Sequence, residues 1–386
     1  MRIALISETF LPNVNGVVTT LCHLLEYLRD HGHEALLVAP EGAPSDYAGA
    51  KIIPMRGVPL PSYPELRLTP PQLGLTAQLR RFNPDIVHLA GTVALGLAGR
   101  HAARQLRVPL VSAYHTDFPA YTAHYGLGAL RSLLYSYLRW VHNSCLVTLC
   151  PSSATISSLR AHGFRRLRLW GRGVDTERFH PRYRSQAWRE AVGVGQDERV
   201  LLYVGRLAPE KRLDLLVEAI PLIPNTRLVF VGDGPARPLL EQQLRGAAVH
   251  FAGYLRGEEL ATAYASSDLF VFPSDTETFG QVIQEAMASG LPVVAARAGG
   301  SIDLVHDGTT GRLFAPGSAV ELRAQIDELL AAPLWARAMG TAGRRLAERR
   351  SWPHVIADLL HYYTQAISRA ERHQHRLRGR LIVGER

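Results

Sequence analysis

Residues 269–294 read Leu269-Phe270-Val271-Phe272-Pro273-Ser274-Asp275-Thr276-Glu277-Thr278-Phe279-Gly280-Gln281-Val282-Ile283-Gln284-Glu285-Ala286-Met287-Ala288-Ser289-Gly290-Leu291-Pro292-Val293-Val294. A short apolar run meets a polar loop at Pro273, an amphipathic helical stretch starts near Phe279-Gly280, and Gly290-Leu291-Pro292 turns it into a second apolar run. Strand, loop, helix, turn and strand in that order form the repeating unit of a parallel sheet. The alternation extends both ways. Strand candidates are 2–7, 34–39, 85–89, 109–114 and 145–150 in the first half, and 199–205, 227–232, 249–252, 268–272 and 292–296 in the second. Most are continuously apolar, as strands covered by helices on both faces are. The sequence therefore predicts an α/β protein with two doubly wound, Rossmann-like domains.

The length agrees: 386 residues make two domains at roughly 150 residues each. A chain 47% apolar and 20% charged, with a mean hydropathy of −0.02, has the composition of a globular protein. No apolar run approaches the ~18 residues of a membrane span. Met1-Arg2-Ile3-Ala4-Leu5-Ile6-Ser7-Glu8 reaches an acid too soon for a signal peptide and reads as a first strand. Cys22, Cys145 and Cys150 make neither a disulfide framework nor a Cys-x-x-Cys site, which points to a reducing cytoplasm.

Charge is uneven. Residues 1–180 carry 18 Lys+Arg against 11 Asp+Glu, residues 181–368 carry 19 against 21, and the tail 369–386 carries six against two; the nets +7, −2 and +4 sum to +9. Only Lys51 and Lys211 of the 43 basic residues are lysine. A domain boundary is expected within 172–198, giving domains 1–180 and 181–351. The last helix runs from Trp352 to about Arg372, behind the N-cap Ser351 and with Pro353 in its first turn. Leu130, Leu133, Leu134, Tyr137, Leu138 and Val141 recur at helical spacing, with Tyr121, Tyr125, Tyr135 and Trp140 around them. They make either a core-facing helix or an interfacial face.

Five places carry candidate chemistry. After the first strand, Asn15-Gly16 leads into a helix, where Gly16 would let backbone N–H groups approach an anion; an ordinary turn satisfies the same pattern. After strand 199–205, Arg206 offers a planar fork and Lys211 a point charge, a pair able to hold a diphosphate. Phe230-Val231-Gly232-Asp233-Gly234-Pro235 is a strand entering a turn whose Gly232 permits close backbone approach. Glu277 precedes the helix of the opening segment and Glu285 lies within it. The two carboxylates cannot share a face, and amides of 279–282 lie between them. A helix cap with a surface glutamate is the plainer alternative. Last, His115 and Asp117 follow strand 109–114.

In order and over essentially the whole chain, these pieces resemble the retaining GT-B glycosyltransferases of family 4. Arg206 with Lys211, the 231–235 turn, Glu277 and Glu285, and the following 286–294 run carry the resemblance. Tyr114-His115-Thr116-Asp117, Trp170-Gly171-Arg172-Gly173-Val174-Asp175 and Phe179-His180-Pro181 are similar to the branch of GDP-mannose-dependent α-mannosyltransferases and sulfoquinovosyl-diacylglycerol synthases. The resemblance implies an acceptor-side first domain, to which the final helix of 352–386 returns, and a nucleotide-sugar-binding second domain facing it across a cleft. Arg206 and Lys211 would neutralise the donor diphosphate, Glu285 would hold the ribose, and Glu277 would touch hydroxyls of the transferred sugar. Phe279, Gly280, Gln281 and Val282 would supply mainly backbone contacts, Gly232 would sit close to the ligand, and Tyr254 would lie near the base. Gly16 would abut phosphate and acceptor; His115 would contact the transferred sugar, with Asp117 beside it. Many members carry Gly-Gly where this chain has Asn15-Gly16.

The expected activity is transfer of a hexose, mannose from GDP-mannose foremost, to a lipid or glycan acceptor. Neither cofactor nor metal is expected, since the Asp-x-Asp that holds a divalent ion in the other common glycosyltransferase fold does not occur. A UDP-sugar-dependent glucosyl- or sulfoquinovosyltransferase acting on diacylglycerol is the near alternative. A sugar-nucleotide epimerase and a non-catalytic nucleotide-sugar binder are alternatives of other classes. A dehydrogenase would need Gly-x-Gly-x-x-Gly after a first strand, which neither half offers. No nucleic-acid-binding module or aromatic-interleaved basic run is found. The charge arithmetic would place the basic side against an anionic membrane at the cytoplasmic face.

Overall fold

The computed structural model describes residues 1–383 except 14, 61–62, 69–73, 116–130, 196 and 221–222, with the backbone alone for 58–60, 63–68 and 374–383. The chain divides into two compact units, Met1–Gly171 with Val355–Arg386, and Arg172–His354. Each unit is built on a parallel sheet.

In the first unit the strands lie in the order Leu167–Leu169, Val147–Cys150, Leu110–Ala113, Ile86–Leu89, Arg2–Ile6, Glu34–Pro40, Ala50–Met55 and Asp46–Tyr47, all parallel except the last. A separate antiparallel pair joins Val58–Leu60 to Tyr63–Leu68. In the second unit Val249–Gly253, Thr226–Val231, Arg199–Val204, Leu269–Phe272, Val293–Ala296 and Gly311–Phe314 form one parallel sheet. Helices cover both sheets, so the inner strands are buried residue after residue; Phe230, Phe270 and Phe272 are each at most 1% exposed.

Every strand read from the sequence is present, with ends moved by a residue or two. The additional strands lie at or near sheet edges, where sequence signals weaken. Ala50–Met55 carries Lys51 and Pro54, Leu167–Leu169 is interrupted by Arg168, and Gly311–Phe314 begins Gly-Arg.

The division falls at Gly171/Arg172, earlier than the expected boundary at 180. Segment 172–180 is held by the second unit: Val174 N–H bonds to Arg350 O at 3.1 Å, a Cβ on Gly173 would lie 2.5 Å from the Trp352 Cα, and Phe179 enters that unit's core. The chain re-enters the first unit at Val355, not 352. The last helix, Trp352–Val383, outruns its predicted end because 373–383 contains no proline and only one glycine. Within the first unit Tyr363 Oη lies 2.6 Å from His88 Nδ1, and Trp170 Nε1 donates to Val355 O at 2.9 Å.

The amphipathic stretch forms the helix Arg131–His142, burying Tyr135, Leu138 and Val141 against the first unit, while Leu133 and Trp140 stay 67% and 50% exposed. Tyr121, Tyr125 and Leu130 lie outside the described residues. No helix among the described residues is long and apolar enough to cross a membrane.

Candidate active site

In the second unit the strand order reverses at Arg199–Val204, flanked by Thr226–Val231 and Leu269–Phe272. Loops leaving the carboxyl ends of strands at such a switch diverge and leave room for a ligand. Arg206 and Lys211 follow Arg199–Val204; Glu277 follows Leu269–Phe272. The two loops meet where Lys211 Nζ donates to Glu277 Oε2 at 2.7 Å.

Local sequence fixes both partners. Lys211 ends a single 3-10 turn, Pro209–Lys211, whose proline presets the first backbone angle. Glu277 is braced by Gly299-Gly300: the Gly300 N–H donates to Glu277 O at 2.8 Å, and a Cβ on Gly299, whose φ is +54°, would lie 2.1 Å from that oxygen. That brace went unnoticed in the sequence, although a Gly-Gly behind a strand candidate was a signal for it. Burial alone would raise the Glu277 carboxyl. The Lys211 ammonium, the Arg172 guanidinium and the Phe279 N–H outweigh it and hold the carboxyl below its ordinary range.

Arg172 is the functional candidate that sequence reasoning left without a role. Its guanidinium carbon lies 5.9 Å from the centroid of the buried Phe279 ring, and its Nε is sealed from solvent with no hydrogen-bond partner. Burial lowers its pKa and the Glu277 charge opposes that. Gln281 secures the neighbouring backbone, its Nε2 donating to Gly173 O at 3.0 Å. Two cations beside one carboxylate leave a net positive site, and a guanidinium Nε without a partner favours an anionic or hydroxyl-rich ligand.

The other second-unit candidates divide. Glu285 is apart from Glu277 and has its own partner: Tyr264 Oη donates to Glu285 Oε2 at 2.9 Å. Burial pushes the Glu285 carboxyl up to about 7, against the Tyr264 hydrogen bond and the Arg178 charge. Tyr264 also contacts Val282 O at 3.3 Å. Arg206 is exposed, its carbonyl accepting from Tyr203 Oη at 3.0 Å. Gly232, with φ +126°, packs on protein: a Cβ there would lie 2.1 Å from Gly205 O, and its N–H donates to Gly253 O at 2.7 Å. It packs against Gly205, the residue before Arg206. Tyr254 is 70% exposed, its hydroxyl 3.5 Å from Asp233 O. The helix starts at Gln281, after Gly280, and the Phe279 amide is directed at Glu277, so 280–282 remain as the amides to offer an anion.

In the first unit the order reverses at Arg2–Ile6. Gly16 opens the helix Gly16–Asp30, but Asn15 caps it: its Oδ1 accepts from the Val17 and Val18 amides at 3.0 Å each, so those amides are already engaged. His115 follows Leu110–Ala113, with its ring 6.0 Å from the Trp170 ring. Asp117 lies outside the described residues. Glu8, unassigned from sequence, is 4% exposed and faces the start of helix Leu95–Leu106; burial raises it to about 7 while amides of Gly96, Val93, Ala94 and Leu95 oppose. Among the described residues no group of three His, Cys, Asp or Glu side chains is placed to hold a metal ion.

The solved structures most like this fold include sucrose-phosphate synthase from Thermosynechococcus elongatus, with a TM-score of 0.77 and 23% identity, covering 95% of this chain and 99% of that one. The Anabaena HepE protein in complex with UDP and glucose gives a TM-score of 0.75 at 21% identity, covering 94% and 99%. The fold is GT-B. Residues 14–178 match the profile of Glycosyltransferase Family 4 and residues 198–332 that of Glycosyl transferases group 1. A GDP-mannose-dependent alpha-mannosyltransferase of Corynebacterium glutamicum is 39% identical over 383 residues, 96% of this chain and 91% of the relative. One of Mycobacterium tuberculosis is 40% identical, covering 94% and 96%, and a sulfoquinovosyl transferase of Arabidopsis thaliana 38% identical, covering 91% and 71%. The chain belongs to the family 4 (group 1) glycosyltransferases and is an enzyme of that class.

Proposed function

We propose that this hexosyltransferase moves mannose from GDP-mannose to a lipid or glycan acceptor, with retention at the anomeric carbon and no metal. The Lys211–Glu277 pair beside the partnerless Arg172 Nε carries the reading, since it is a cationic site with one fixed carboxylate. The 39–40% identity to GDP-mannose-dependent relatives supports the donor.

The bond from the anomeric carbon to the diphosphate oxygen breaks with its electron pair on oxygen. The acceptor hydroxyl bonds to the same face of that carbon, and its proton passes to the departing phosphate oxygen. Negative charge grows on the diphosphate as the sugar becomes oxocarbenium-like, so fixed cations stabilise the transition state more than the ground state. Lys211, Arg206 and Arg172 take that role, and Glu277, kept ionised by its cations, accepts from sugar hydroxyls. Glu285 accepts from the ribose and Tyr254 lies at the base. Phe279, Gly280, Gln281 and Val282 line the donor, Gly232 seats the loop, and Gly16, His115 and Asp117 serve the acceptor and the transferred sugar.

A UDP-sugar donor with diacylglycerol as acceptor is the second reading, favoured by the 38% identity to the Arabidopsis sulfoquinovosyl transferase. In either case the enzyme acts at the cytoplasmic membrane face, where the basic first 180 residues and tail meet anionic lipid. Thermal-shift titration with GDP, UDP, ADP and TDP, followed by incubation with labelled GDP-mannose and lipid extract, tests this. GDP alone should stabilise the protein and label should enter lipid. Stabilisation by UDP alone selects the second reading, and absence of labelled product with any donor defeats both.

A further inference from the structure

Two adjoining cavities open along the C-terminal helix at the amino-terminal edge of the first unit's sheet, the edge opposite the carboxyl ends that carry His115 and the Gly16 loop. The larger, about 620 Å³, lies between the end of helix Leu95–Leu106 and the C-terminal helix, with Arg104, Arg107, Arg369 and Arg372 in its wall. The smaller, about 90 Å³, shares Leu146 and Arg369 with it and adds Arg166 and Arg168. Neither wall contains an aspartate or glutamate. Among the described residues Arg166 and Arg168 donate to backbone carbonyls, of Asn143 and Leu167, which carry no net charge.

The floor is apolar, formed by Val108, Pro109, Leu110 and Leu146. At its side stands Trp140, half exposed, with the Arg100 guanidinium 3.9 Å over its ring; Arg100 Nε in turn donates to Ser144 Oγ of the cavity wall at 2.8 Å. Beyond the cavities the same helix continues to Val383 through Arg376, Arg378 and Arg380, with no acid between 372 and 383. Clustered guanidiniums match phosphate oxygens, and a half-buried tryptophan with apolar neighbours suits the boundary between headgroups and acyl chains.

We propose that this groove docks the phosphate headgroups of an anionic bilayer, with Trp140 at its apolar margin. It deepens the membrane contact proposed above and rests on that reading. It locates the contact at a site remote, within the first unit, from the transfer residues.

The test is flotation of the whole chain with vesicles of phosphatidylglycerol and phosphatidylcholine, or of phosphatidylcholine alone. Wild type should float with the mixed vesicles only. The variant R104Q/R369Q/R372Q should bind on the order of a hundredfold more weakly, three surface charges each contributing about a fivefold factor. A charge-matched variant in the second unit, R245Q/R256Q/R337Q, should bind like wild type. Equal loss in both triples would reduce the effect to net charge and overturn the site. Displacement from vesicles by inorganic phosphate, or equal binding to a duplex oligonucleotide, would also overturn it, making the groove a small-anion or nucleic-acid site. The conservative W140F variant should lose most of the fluorescence blue shift on the mixed vesicles, a readout that does not depend on the arginines. Turnover on a water-soluble acceptor separates the two readings. Vesicle binding without transfer defeats the proposed activity, whereas transfer without vesicle binding defeats the groove.

Discussion

Lys211 holds Glu277 ionised across a 2.7 Å contact, and in the proposed reading its ammonium also offers charge to the donor diphosphate. Lys211→Ala should therefore lower kcat by about 10²–10³-fold while moving the donor KM by less than about tenfold. It should also shift the acid limb of the pH–rate profile upward, because only Arg172 and the Phe279 amide remain to offset burial of Glu277. Steady-state kinetics against pH checks both, and equal losses in kcat and KM would contradict the assigned role. Glu285 gives a second test. Burial raises its carboxyl to about 7, so under the proposed ribose contact the accepting carboxylate is lost as pH falls below neutrality and donor KM should rise between pH 7 and 6. Glu285→Gln should weaken donor binding and flatten that dependence; an unchanged pH slope would remove Glu285 from the ribose. At this scale Arg206, Lys211, Glu277 and Glu285 stand out as candidates, the first three by charge type in loops after apolar strands and Glu285 within the helix that follows. Arg172 does not, because its signal is a missing partner, and partners exist only in three dimensions.

Elements were read from hydrophobic runs, and strands covered on both faces gave the clearest runs because every residue must be apolar. Leu167–Leu169 and Gly311–Phe314 escaped because, in edge strands of three and four residues, one arginine leaves no apolar run to read. Asn15 illustrates another limit. A helix start was evident, but whether its amides face a ligand depended on one side chain, and the Asn15 carboxamide takes two of them. The C-terminal helix docks on the first unit through the 2.6 Å contact between Tyr363 and His88, both buried. Tyr363→Phe would leave the His88 ring with no polar partner among the described residues, since its Nε2 has none. It should cost about 1–3 kcal/mol in urea unfolding of the first unit. An unchanged midpoint would mean that apolar packing alone seats the helix.

Over the whole molecule, pH links burial to stability. His88 and His142 in the first unit are pushed down to about 3 by burial, from an ordinary 6.5. Between those values the unfolded chain binds more protons, so their contribution is lost as pH falls below about 6.5. Glu8, raised from 4.5 to about 7, acts in the opposite sense: the folded state holds its proton over that window, and stability falls as pH rises through it. Two histidines outweigh one glutamate. The first unit should lose stability below pH 6.5 and more steeply below about 4.5, where Glu8 no longer opposes. Glu8→Gln should steepen the upper part of the curve; calorimetry from pH 4 to 8 would show it, and parallel curves for variant and wild type would refute the balance. The sequence by itself determined two doubly wound α/β units and the class of chemistry, and it named the charged candidates, because continuous apolar strands and lone charges after them are local in the chain. Only the tertiary structure decided the boundary at Gly171, the pairing of Lys211 with Glu277 beside Arg172, the separate Tyr264–Glu285 contact and the arginine groove along the last helix. Each joins residues far apart in sequence, and burial and Coulomb energy depend on distance through space.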